Sequence, residues 1–79
     1  MKLALQIEKG KANWLHPEIV RKLEAIAAIS DTNIEQALAL VRLFLSEDGG
    51  WFVGRGGSHV WIQSVYRPGE RIAMIYEVH

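Results

Sequence analysis

Arg55-Gly56-Gly57-Ser58-His59 is the stretch whose residue types could do chemistry. An imidazole titrates near neutral pH, so His59 could take a proton from a 2′-hydroxyl or give one to a leaving oxygen, as RNA cleavage requires. Ser58 could orient that ring or bond a phosphate oxygen. Arg55 could hold a phosphate through two parallel hydrogen bonds. A plainer reading stands beside this one. Gly54, Gly56 and Gly57 would allow a tight hairpin, with a solvent-facing histidine opening the next strand.

Other chemistries find little support. The sequence has no cysteine, hence no thiolate ligand, nucleophile or disulfide. His16, His59 and His79 are too scattered to predict a metal site, and no cofactor is expected. The segment Gly54–Ser58 lacks the Lys-Ser/Thr pair that completes a phosphate loop.

Charge narrows the partners. Nine basic and nine acidic side chains cancel, whereas nucleic-acid binders usually carry a basic excess. Any nucleic-acid site must therefore be local. Residues 17–48 hold three basic and six acidic side chains, while the last third carries Arg55, Arg67 and Arg71 against Glu70 and Glu77. Those arginines, with Gly57, Trp51 and Trp61, are the candidate nucleic-acid-binding or partner-binding residues. Aromatic groups left exposed on a strand would mark either a base-stacking surface or a protein interface.

The elements that must position these groups follow from periodicity. The 79 residues make one small domain, 49% apolar and therefore globular. In residues 2–8, Leu3, Leu5 and Ile7 alternate with polar neighbours, which predicts a half-buried strand. Pro17 suits a first helical position, and Ile19, Val20, Leu23, Ile26 and Ala27 form a stripe at helical spacing over 17–29. Thr32 and Glu35 match a capping box for a second helix over 33–45. Its face of Ile34, Leu38, Val41 and Leu45, widened by Ala37, Leu40 and Phe44, predicts the more buried helix. Gly49 or Gly50 would end it.

Three strands are expected next, over 51–55, 59–65 and 71–78. Pro68-Gly69 makes a type II turn before the last, on which Ile72, Met74, Tyr76 and Val78 share a face. The order is β-α-α-β-β-β. It predicts an α+β fold: an antiparallel three-stranded meander, the first strand adding as a fourth at an edge, and two helices on one face. No signal peptide or membrane span is evident, so a cytoplasmic protein is expected.

Residues 41–79 also resemble the HicA toxin family. The shared pattern is a helix ending Leu43-Phe44-Leu45, then Gly50-Trp51, Arg55, Gly57-Ser58-His59, and a third strand from Arg71 to His79. The resemblance implies a double-stranded-RNA-binding-domain-like fold and a metal-independent ribonuclease that cleaves mRNA and is neutralised by a HicB antitoxin. His59 would be the catalytic histidine, with Gly57 and Ser58 its supporting turn. That family ends in a helix after the third strand; here the helix over 17–29 would take its place on the sheet.

Two other classes compete. A non-enzymatic module that covers a partner protein, as phage-encoded anti-CRISPR inhibitors and some antitoxins do, would use the acidic helical face and exposed aromatic groups. A winged-helix DNA binder would place helix 33–45 in a groove, but Arg42 is its one basic residue. The oligomeric state stays open, a homodimer included.

Overall fold

The computed structural model describes residues 2–29, 33–46, 50–67 and 69–78, and among these it shows the expected α+β order. Strand β1 is Lys2–Ile7, helix α1 Pro17–Ala28, helix α2 Ile34–Leu45, and strands β2, β3 and β4 are Trp51–Arg55, His59–Ser64 and Arg71–Val78. A 3-10 turn at Ala12–Trp14 joins β1 to α1. The sheet is antiparallel throughout, in the order β1-β4-β3-β2. β2, β3 and β4 form the meander, and β1 adds beside β4. The last strand is thus central, and β1 and β2 are the edges.

Each helix begins where its sequence satisfies free backbone N–H groups. His16 caps α1: its Nδ1 accepts a hydrogen bond from the Glu18 N–H at 3.2 Å, and Pro17 follows at the first helical position. α2 is capped by Asn33. Its Oδ1 accepts from the Gln36 N–H at 2.8 Å, and Gln36 Oε1 accepts from the Asn33 N–H at 3.1 Å. Thr32, expected to hold that role with Glu35, lies outside the described residues, as does Gly49.

Both helices lie on one sheet face. α1 buries Ile19, Leu23 and Ile26; α2 buries Ile34, Ala37, Val41 and Leu45. Opposite them stand Leu3, Val60, Ile62, Ala73 and Ile75. Each fully buried Leu or Ile contributes about 1.5–3 kcal/mol over leaving it in water. α2 packs across β2, β3 and β4, whereas α1 packs chiefly on β1 and α2. α1 therefore lies on the sheet beside β1 rather than over the meander, where it was expected to stand in for the final helix of the HicA pattern.

One further expectation fails. Ile62 pairs with Ala73 but Gln63 pairs with Arg71, so Ile72 is an extra residue, a β-bulge. The bulge breaks the alternation, and Ile72 and Ala73 are both fully buried. Ile72 therefore does not share the environment of Met74, Tyr76 and Val78, which stay half-buried or exposed. The β3–β4 connection closes as expected around Gly69. The Glu70 N–H donates to the Arg67 C=O at 3.2 Å, and Gly69 has φ 87°, the value a type II turn requires at its third residue. Pro68 lies outside the described residues. No helix among the described residues is long and apolar enough to cross a membrane.

Candidate functional site: the open face of the sheet

The β2–β3 hairpin separates groups that are neighbours in sequence. The Gly56 N–H donates to the His59 C=O at 2.9 Å, which leaves Gly57 and Ser58 as a two-residue loop. Gly56 thus pairs with His59, and Arg55 with Val60. Strand alternation then puts His59 on the open face and Arg55 on the helix-covered one. Arg55 completes the separation by donating from Nη1 to Glu35 Oε1 of α2 at 2.8 Å. Arg55 and His59 do not form a joint phosphate and proton-transfer site.

The hairpin is tight, as expected, with Gly57 in its loop, but Gly54 and Gly56 have a different role. Gly57 does not have the left-handed φ that a type I′ or II′ hairpin needs at its first central residue. Gly54 and Gly56 instead permit close approach. The Trp61 indole lies flat over Gly54, where a Cβ would overlap the ring, and the His59 imidazole occupies the same place over Gly56. Two aromatic rings from β3 are thus laid across the backbone of β2 and its continuation.

His59 is half-buried, and its Nε2 is enclosed with no hydrogen-bond partner among the described residues. A buried nitrogen left unpaired costs about 1–3 kcal/mol. Ser58 is exposed, and its hydroxyl makes no hydrogen bond among the described residues. Its carbonyl accepts from the Glu77 N–H at 3.1 Å, so Ser58 holds the hairpin to β4 and does not orient the imidazole.

The remaining candidates divide between three places. Trp51 pairs with Ser64 on the covered face and packs against the core. Arg67 stacks on Trp14 at 4.0 Å from the ring centre, with Lys11 at 4.2 Å from the same ring. Lys11 also bonds Glu70 at 2.9 Å. That hydrogen bond, with the charges of Lys11 and Arg67, holds the Glu70 carboxyl below its ordinary 4.5. Arg71 sits 5.5 Å from the Trp61 ring centre, on the open face.

The open face gathers more than the sequence reading chose. The register places Phe52 beside Gln63, Trp61 beside Met74, and Tyr76 between His59 and Ala4. Phe52 is 54% exposed. Lys2 and Arg71 supply positive charge, and none of the strand residues on this face is Asp or Glu. Glu8, one residue past β1, is the nearest carboxylate by alternation. Phe52, Tyr76, Met74 and Lys2 join the candidates only here, because which face of the sheet stays open is set by the packing of the helices and not by the strands' own sequence. The signal for Phe52 was its alternation: two residues before Gly54, it faces the side where Trp61 lies. Among the described residues no three of His, Asp and Glu come together to hold a metal ion. Comparison with protein-family models, curated proteins and solved structures finds no match to this chain.

Proposed function

We propose that the chain is an RNA-directed binding protein whose open sheet face takes an unpaired strand. The observation that carries this reading is the make-up of that face: Phe52, Trp61 and Tyr76 on three adjacent strands, with Lys2 and Arg71 and no carboxylate among the strand residues. Neighbouring strands lie about 4.8 Å apart and same-face residues about 7 Å apart, so the rings are spaced to receive successive splayed bases. A duplex hides its base faces, whereas an unpaired strand offers them to aromatic side chains. Two cations neutralise few phosphates, so affinity should fall only gently with salt, with a slope of roughly −0.7 per phosphate.

The finer form of the reading is a HicA-like endoribonuclease with a HicB-like antitoxin as partner. The position of His59 on the open face favours it. Its enclosed Nε2 and the distant Arg55 favour binding without cleavage.

Titration with an unstructured oligoribonucleotide, followed by tryptophan fluorescence, tests the binding. Loss of one stacking ring should cost about 1–3 kcal/mol, or 5–150-fold in Kd, for Trp61→Ala and Tyr76→Ala alike. Blunt duplex RNA should bind poorly. RNA integrity in the presence of chelator, for wild type and His59→Ala, separates the two forms. Binding without cleavage leaves an RNA-binding module; cleavage lost in His59→Ala establishes the nuclease. A folded wild type that binds no unpaired RNA overturns the reading and makes the face a protein interface.

A further inference from the structure

The hydrogen-bond pattern of β2 has a self-complementary outer edge. Gly56 pairs with His59 through Gly56 N–H, and Gly50 pairs with Val65 through a 3.0 Å bond from the Val65 N–H. In an antiparallel ladder every second residue is bonded inward, so Phe52 and Gly54 are bonded to β3 as well. The N–H and C=O groups of Trp51, Val53 and Arg55 therefore point away from the sheet, unpaired by it. No proline, no lysine and no bulge interrupts Trp51–Arg55, and its one charged side chain, Arg55, is already paired with Glu35.

We infer that β2 pairs antiparallel with β2 of a second copy of this chain, about a two-fold axis at Val53. In that register Trp51 meets the second copy's Arg55, Val53 meets Val53, and all three outward residues exchange both hydrogen bonds. The side chains also fit. On the open face Phe52 stands opposite the second copy's Gly54, over which that copy's Trp61 ring already lies. The exposed phenyl ring thus gains an aromatic neighbour without meeting a Cβ. On the covered face Trp51 offers a ring to the second copy's Arg55, a cation–π pairing. Arg55 brings its own counterion, Glu35, at 2.8 Å, which offsets its approach to Arg42 in the adjoining cleft.

A five-residue strand pair with one phenyl ring from each copy buries less than the ~1,000 Å² of a stable interface, so association is concentration-dependent. The result is one eight-stranded sheet with a continuous open face. The pairing does not rest on that face binding RNA.

Sedimentation across the micromolar to millimolar range tests it. Wild type should pass from monomer to dimer, and Phe52→Glu should stay monomeric with an unchanged circular dichroism spectrum. The sequence has no native cysteine, so Val53→Cys gives a specific cross-link. Paired Cα atoms about 5.5 Å apart accept a disulfide, and mild oxidation should produce a linked dimer with native dichroism. A wild type monomeric at every concentration overturns the proposal. So does a dimer that survives Phe52→Glu, or a folded Val53→Cys that does not cross-link.

Discussion

The two faces of this sheet are both rich in apolar side chains, yet they are built on opposite plans. The covered face uses aliphatic groups: Leu3, Val60, Ile62, Ala73 and Ile75 interlock with the branched residues of α1 and α2. The open face uses flat rings, and it shelters them by lowering the backbone beneath. Trp61 over Gly54 and His59 over Gly56 gain contact area from the backbone of β2 and its continuation, with no second layer. The contrast teaches that a glycine inside a strand can act as packing. It removes a side chain so that a neighbour's ring can lie down.

The sharpest way to break that comparison is on the covered side. Ile62→Ala removes a fully buried side chain and should cost about 2–5 kcal/mol, read as a lower midpoint in urea. A cost below 1 kcal/mol, of the order of a surface change, would erase the distinction between the faces. Next comes Gly54→Val, which forces the Trp61 ring off the strand. Overpacking should cost about 1–3 kcal/mol, and the tryptophan emission should shift as the ring enters water. Phe52→Ala, at the exposed rim of the same face, should change the stability of dilute protein by no more than about 0.5 kcal/mol.

The smallest effect is electrostatic and lies at the end of the sheet. Glu70 is held below its ordinary carboxylate value by the hydrogen bond from Lys11. A carboxyl depressed by folding stabilises the folded state above its unfolded value of 4.5 and loses that contribution as pH falls through its lower folded value. Glu70→Gln should therefore be slightly less stable than wild type at neutral pH, and the difference should close as pH falls, so that its acid limb is flatter. An identical acid limb in the two proteins would remove Glu70 from that role.

Most of the fold was legible because local signals agreed. Alternation in 2–8, the proline at 17 and the aromatic and β-branched residues of 59–65 each marked their element to within a residue or two. The second cap sat one residue beyond the box chosen for it, since Asn33 and Gln36 form the same reciprocal pair. The bulge at Ile72 was not legible, because an extra residue leaves no local mark in an apolar strand. The candidate site was read less well. Nearness in sequence placed Arg55 with His59, but a two-residue loop sends them to opposite faces. Gly54 and Gly56 look like turn formers in the sequence because the ring lying on each comes from another strand, and that pairing is a tertiary fact.

β4, between β1 and β3, follows every other described element along the chain, and this orders events during synthesis. Until residues 71–78 leave the ribosome, β1 has no neighbour to bond and Val60 and Ile62 lack one wall of their core. At about 5–20 residues per second the first strand waits for seconds, unpaired. The nascent chain can hold its helices and the β2–β3 hairpin in that interval, but the sheet closes only once translation has passed Val78.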